Sequence, residues 1–500
     1  MKINLVSFNP LSADISGNGR KIVELLRAPA PQADLFVFPE AALCGCPLFD
    51  LFDDKRLQTQ NAVTLKEIAK EIKNTPCVLG YLEKDGKAHT TAAAYIYKGK
   101  ITKIFDSELI CLNGKNIQIT LTDPQDFQPD PDADTVLFLL ARPYIKGNIT
   151  TRLDALKKFA KKYAVSSCLC NLLGGGDGMI FDGLTAVADK KGTLVLLGEL
   201  FREQVLTFDT DGKYTPITYK KEEKGELLAA LIFGVQDYAH KSGFDKVVFG
   251  LSGGIDSAVT AVLAARALGG ESVHCVSLPS FCTSDLSKTL AGQLALNLGV
   301  NLEEVGVNPV LEKTNEVFEH IVSNPKEVTQ QELQSRLRTA VLGALAAEYN
   351  AMLISTDDKS ENAVGSMVLY GDSGGNLQPL GDLYKTEIYE LAEYINREEE
   401  IIPQGIIERA PTSELSPNQK DEDTLPPYSV LDKILRAYLE DNLTAEEITK
   451  KFRVKQGMVT DILTRVNQAD LKRRQTSPVL QVTARPFSTL LRPIIKKINL

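Results

Sequence analysis

Short apolar runs of strand length alternate with helix-length stretches along most of the chain, a pattern that predicts an α/β protein. Met1-Lys2-Ile3-Asn4-Leu5 opens directly into a strand-like pattern. The alternation runs to about residue 210, through Gly192-Thr193-Leu194-Val195-Leu196-Leu197-Gly198, and the charged stretch Lys220 to Lys224 then reads as a linker. Two domains are expected, over 1–215 and 226–500. The second opens with a helix over residues 226–241, followed by the β-branched and aromatic run Val247-Val248-Phe249. A segment from Ala258 to Leu268 is apolar on nearly every face and stops at Gly269-Gly270, which predicts a buried helix. Strands are predicted over 273–278 and 352–355, and strand-helix alternation implies a mostly parallel sheet covered on both faces. Between them, Leu333, Leu337, Ala340, Val341, Ala344 and Leu345 recur at helical spacing and predict one buried helix face. Thr444-Ala445-Glu446-Glu447 is a capping-box pattern opening a further helix. The Pro/Asp-rich run 123–134 reads as a loop, and there is no internal repeat.

Composition narrows the class. Five hundred residues, 43% of them hydrophobic, are enough for large cores. No run has the apolar length needed to span a bilayer, and the N-terminus lacks a signal-peptide layout, so a cytoplasmic location is expected. Eight cysteines, at 44, 46, 77, 111, 168, 170, 275 and 282, form neither a disulfide framework nor a CxxC pair, which predicts reduced thiols. A net charge of −9 disfavours a broad nucleic-acid surface despite the local cluster Lys472-Arg473-Arg474, and four scattered histidines argue against zinc.

The chemistry concentrates in Phe249-Gly250-Leu251-Ser252-Gly253-Gly254-Ile255-Asp256-Ser257, where a buried strand passes through a glycine turn into a buried helix. Gly253 and Gly254 allow main-chain amides to converge, and the helix N-terminus adds partial positive charge, so the segment is suited to phosphate oxygens. Ser252 and Ser257 supply hydroxyls, and Asp256 can reach a magnesium ion. No Lys follows the glycines, which excludes the P-loop pattern. The segment resembles the SGGxDS signature of N-type ATP pyrophosphatases, which split ATP into AMP and pyrophosphate.

Five further motifs follow in order: Thr356 to Glu361, Leu369 to Asp372, Pro379 to Thr386, Pro411 to Leu415 with Gln419 and Asp421 to Tyr428, and Lys472 to Gln475. Together with the glycine turn they resemble the NAD synthetase family. The resemblance implies an adenine-nucleotide α-hydrolase-like domain that uses ATP and Mg2+ to adenylate the nicotinate carboxylate of deamido-NAD; ammonia then gives NAD and AMP. It assigns Asp256 and Glu361 to the metal, and Ser252, Gly253, Gly254, Asp256, Ser257, Thr356 and Lys385 to ATP, with Asp256 and Lys385 catalytic. Glu332, Arg336, Glu361 and Lys472 fall to deamido-NAD. Three positions depart from the family pattern: Glu332 stands for Asn, Val368 for Thr, and Asp357-Asp358 for Gly-Asn. An acid at 332 would repel a phosphate-bearing substrate unless Arg336 or a metal compensates. Similar synthetases are dimers or larger, so a homo-oligomer is expected.

In the first half, Phe38-Pro39-Glu40, Gly45-Cys46-Pro47 with Asp50-Leu51, and Asn171 to Asp177 with Phe181-Asp182-Gly183 resemble the nitrilase-like domain of glutamine-dependent members. That resemblance implies an αββα sandwich and a Glu, Lys, Cys triad. Glu40 is present, but the Lys position falls on Ser107 and the Cys position falls near Leu121-Thr122-Asp123. Without a nucleophile no thioester can form, so a silent amidase with Glu40 as its relic is expected, with free ammonia as nitrogen source. The alternatives are glutamine used through Cys111 or through a separate amidase, a non-catalytic dinucleotide-binding protein, or another SGGxDS enzyme; the order of the motifs speaks against the last.

Overall fold

Period-two alternation in the first strands sets the layers of the N-terminal unit. Ile3 and Leu5 point into one core while Val6 and Phe8 join another, and Leu35 and Val37 split from Phe36 and Phe38 in the same way. The computed structural model describes residues 1–28, 33–72, 75–85, 88–412, 414–416 and 419–496, and the chain forms two units, Met1–Glu223 and Lys224–Leu500. In the first, a six-stranded sheet runs in the order Gln204–Asp209, Lys2–Ser7, Leu35–Val37, Cys77–Asp85, Ala88–Tyr97, Lys100–Ile104. A second runs Leu194–Leu197, Thr185–Ala188, Ser166–Asn171, Thr135–Leu140, Lys115–Thr120, Ser107–Leu112. Their facing sides share a core in which Ile3, Leu5 and Val37 meet Ile119, Leu137 and Val187. Helices Ile15–Arg27 and Lys55–Glu71 cover the outer face of the first sheet, and Asn148–Tyr163 covers the second, where the Phe159 ring stands 5.0 Å from that of Phe138. These layers form an αββα sandwich. Glu40 lies just beyond Leu35–Val37. Gly80 lets its loop come close, since a Cβ there would fall 2.5 Å from the Glu40 Cα.

The second unit is built on a four-stranded, all-parallel sheet in the order Asn301–Glu304, Val273–Ser277, Val247–Gly250, Met352–Leu353. Helix Ile255–Leu268 is buried on almost all sides, as its composition predicts, and Gly269 ends it at φ +86°. The capping box at Thr444 and Glu447 opens Ala445–Phe452. That helix joins Tyr428–Leu439 and Gln456–Gln468 in a separate hydrophobic cluster.

One expectation fails. In helix Glu327–Tyr349 the buried residues are Gln334, Ser335 and Leu342, whereas Ala340 and Ala344 are exposed and Leu333, Leu337, Val341 and Leu345 are only half-buried. The helix turns the face carrying Ser335, Arg338, Thr339 and Leu342 toward the cavity described below, so tertiary demand overrides its apolar periodicity.

Candidate active site

The chain leaves strand Val247–Gly250 through Leu251 and Ser252 and turns at Gly253, where φ is +80°. A Cβ at 253 would also fall 2.3 Å from the Ser287 carbonyl oxygen, so glycine is required by conformation and by space. Ser257 stitches the turn together: its Oγ accepts from the Ser252 amide at 3.2 Å and donates to the Gly254 carbonyl at 3.0 Å. Ser252 Oγ accepts from the Gly254 amide at 3.2 Å. Among the described residues no N-cap side chain closes helix Ile255–Leu268, whose N-terminal residues Gly254, Ile255 and Asp256 line the cavity described next.

Ser252, Gly254, Asp256, Thr356, Glu361 and Lys385 line one cavity of about 270 Å³. In its wall the buried Lys385 ammonium stands 2.8 Å from Asp256 Oδ2, 2.8 Å from Asp358 Oδ2 and 3.0 Å from Glu361 Oε1. A capping box orders two of these acids: the Glu361 amide donates to Asp358 Oδ1 at 2.8 Å, and the Asp358 amide donates to Glu361 Oε2 at 3.0 Å. The Lys385 amide donates to Ser360 Oγ at 3.0 Å, which fixes the start of helix Lys385–Ile395 against the same segment.

Burial pushes Asp256 up to about 6, opposed by Lys385 and assisted by Glu361. Asp357 and Asp358 rise well above the usual carboxylate range, again chiefly through burial, and Asp372 rises to about 6. Burial alone would favour neutral Lys385, but the carboxylates of Asp256, Asp358 and Glu361 outweigh it and hold the ammonium charged. Ligand oxygens of Asp256, Asp358 and Glu361 all lie within 4.8 Å of one another. Asp256 Oδ1 is buried with no hydrogen-bond partner among the described residues. An acid-rich, oxygen-only set with an unsatisfied carboxylate oxygen fits a hard divalent cation such as Mg2+.

The sequence-assigned dinucleotide residues lie outside the cavity lining, except Glu361. Glu332 and Arg336 pair with each other at 2.8 Å, and Arg336 Nε donates to the Leu369 carbonyl at 3.1 Å. Lys472 Nζ donates to the carbonyls of Gly365 and Met367 at 2.7 and 2.8 Å. Both cations therefore clasp the segment 365–372, whose other end enters the cavity at Asp372. Ser413, within one quoted motif, lies outside the described residues. Sequence reasoning missed Arg338 and Asp372 as lining residues, and Asp358 as a third member of the acid cluster. The signal for Asp358 was visible as a departure from Gly-Asn.

In the first unit Glu40 is buried and fully engaged. It accepts from Thr91 Oγ1 at 2.6 Å, the Ala141 amide at 3.1 Å and Arg142 Nη1 at 2.9 Å. Arg142 also donates through Nε to Asp123 Oδ2 at 2.8 Å and through Nη2 to the Leu121 carbonyl at 3.2 Å. Its guanidinium thus links Glu40 to the segment 121–123. Burial, with the Glu40 charge, pushes the Cys46 thiol up to about 11. Cys111 faces solvent on the edge strand Ser107–Leu112.

A parallel α/β sheet whose glycine turn meets a buried lysine and a carboxylate cluster defines an adenine-nucleotide α-hydrolase-like unit, here in one chain with a nitrilase-like sandwich. A family model described as NAD synthase matches residues 227–476. The glutamine-dependent NAD(+) synthetase of Thermotoga maritima is 32% identical, with 97% of each chain covered, and that of Synechocystis is 33% identical with the same coverage. The solved glutamine-dependent NAD+ synthetase of Acinetobacter baumannii, in complex with ADP, superposes with a TM-score of 0.76 at 28% identity, over 99% of this chain and 98% of that one. A glutamine-dependent NAD(+) synthetase from Cytophaga hutchinsonii shares the fold, with a TM-score of 0.86 at 18% identity over 99% of this chain and 98% of that one. The chain belongs to the NAD synthase family, in its two-domain form, and is a carbon–nitrogen ligase.

Proposed function

We propose that the second unit amidates deamido-NAD to NAD through an acyl-adenylate, releasing AMP and pyrophosphate, and that the nitrogen arrives as free ammonia. The observation that carries the reaction is the placement of Lys385 among Asp256, Asp358 and Glu361 beside the uncapped N-terminus of helix Ile255–Leu268. The turn binds and orients the departing diphosphate, and Lys385 keeps a positive charge at the centre of the acid cluster. Asp256, Asp358 and Glu361 would hold Mg2+, which when bound offsets the charge of the triphosphate. The substrate carboxylate attacks the α-phosphorus, pyrophosphate leaves, and ammonia displaces AMP from the acyl carbon. Glu332 and its partner Arg336, together with Lys472, are read as the dinucleotide flank, because the pairing neutralises the unexpected acid.

The free-ammonia reading rests on the first unit, where Glu40 is saturated by three donors, Ser107 stands at the lysine position, and no cysteine stands near Leu121-Thr122-Asp123. Its relatives bear glutamine-dependent names, which favours a second reading in which glutamine supplies nitrogen through Cys111 or a separate amidase. Incubating the purified chain with ATP, Mg2+ and deamido-NAD, and supplying either ammonium or glutamine, decides between them. NAD from ammonium alone is expected; glutamine turnover that disappears in Cys111→Ala would overturn the silent-amidase reading. The enzyme is further read as cytoplasmic and self-associating. Eight free thiols and the exposed Val310, Val317, Ile321 and Val328 of the second unit support this. No helix among the described residues is long and apolar enough to cross a membrane.

A further inference from the structure

Arg409 lines the cavity beside Ser252, Gly254 and Asp256, yet no step above uses its charge. Its Nη1 donates to Ser287 Oγ, and its Nη2 donates to Glu414 Oε1. Ser287 Oγ also lies 3.0 Å from both Glu414 oxygens, so the three side chains close on one another. Ser287 belongs to the wall of the glycine turn, because its carbonyl oxygen lies 2.3 Å from where a Gly253 Cβ would sit. The guanidinium is therefore tethered to a residue that touches the turn.

The other buried cations of the cavity are committed. Lys385 is shared by three carboxylates, while Arg338 donates to the Leu278 carbonyl at 3.1 Å and to Ser280 Oγ at 3.2 Å. Among the described residues Arg409 has a single carboxylate partner, Glu414, and both are mostly buried, with side-chain exposures of 21% and 17%. Glu414 takes φ +46°, a left-handed conformation that a non-glycine residue adopts at a cost. A partly desolvated carboxylate next to a polyanion site repels its ligand, whereas a guanidinium fork matches phosphate oxygens in charge and shape.

We propose that Arg409 is a phosphate-binding residue of the nucleotide site and that Glu414 is its internal competitor. The diphosphate portion of the nucleotide displaces Glu414 from the guanidinium, and Glu414 returns when pyrophosphate leaves, so that the carboxylate lowers product affinity. This rests on the cavity being the ATP site. The competitor weakens apparent binding by the fraction of molecules in which it holds the arginine, a penalty that its removal cancels.

The test uses the full chain with Mg2+ and inorganic pyrophosphate, measuring the pyrophosphate Kd by calorimetry, the KM for ATP, and ATP–pyrophosphate exchange in the presence of deamido-NAD. Arg409→Gln is expected to weaken pyrophosphate and raise the KM for ATP about tenfold. Glu414→Gln, which keeps the shape, is expected to tighten pyrophosphate severalfold and slow its release. The double variant should behave as Arg409→Gln alone. Weakening by Glu414→Gln to the same degree as Arg409→Gln, or no change in either, overturns the proposal and makes the pair a structural brace. If Arg409→Gln does not fold, the direction of the Glu414→Gln shift decides alone. A wild-type chain that neither binds ATP nor catalyses exchange would instead sink the ATP-site reading, an outcome distinct from exchange that is simply indifferent to Arg409.

Discussion

Replacing Glu40 with Ala distinguishes a silent amidase from a working one, because the two predict different losses. In a working amidase the carboxylate is a general base, and its removal abolishes glutamine hydrolysis. Here it is the shared acceptor of Thr91 Oγ1, the Ala141 amide and Arg142 Nη1, at 2.6, 3.1 and 2.9 Å. Leaving a buried ion without its partner costs about 3–5 kcal/mol. Arg142 is 36% exposed and keeps Asp123 at 2.8 Å, so its share falls to about 1 kcal/mol. The two neutral donors add about 1 kcal/mol each, giving a loss of about 2–3 kcal/mol. At about 2–4 °C per kcal/mol for a unit of this size, the first unit should melt about 5–10 °C lower. Scanning calorimetry of the full chain reads that shift, and NAD formation from ammonium at 20 °C should be unchanged. Wild-type glutamine-dependent synthesis that vanishes in Glu40→Ala, with the melting midpoint intact, would refute the reasoning.

Asp256→Asn should abolish AMP formation and remove the Mg2+-induced rise in melting midpoint while the apo fold survives; retained turnover would mean the metal is held elsewhere. Lys385→Met strands three carboxylates around an apolar side chain and should cost about 3–5 kcal/mol in urea denaturation as well as activity. Asp256 and Asp372 sit near 6 in the folded chain, above an unfolded carboxyl, so the folded form binds protons more tightly and these groups weaken the metal-free fold as pH rises from about 4 through 6. Metal-free urea midpoints at pH 5 and 7.5 measure this, and the gap should narrow in Asp256→Asn. Activity at limiting Mg2+ should move the other way and decline as pH drops through about 6.

The glycine turn was legible because three constraints follow one another over residues 247–268: a β-branched strand, two glycines, and an apolar helix. The convergence of Thr356, Glu361 and Lys385 on it follows from their places at strand ends and helix starts, which in a parallel sheet gather at one edge. Helix Glu327–Tyr349 differs from its apolar pattern because the face it turns to the cavity is mostly polar, and periodicity reports only apolar burial. Arg142 was invisible for a different reason. Its partners Glu40 and Asp123 are 102 and 19 residues away, and nothing local marks a guanidinium that spans them.

The bridge made by Arg142 also bears on how such a chain can evolve. The guanidinium holds Glu40, Asp123 and the Leu121 carbonyl at once, so a cysteine introduced among residues 121–123 would stand on a segment already tied to a cation, and Glu40 would have to be shared with any added lysine. If the first unit is silent, a return to amide chemistry therefore involves Arg142 as well as a lysine at 107 and a cysteine near 121–123.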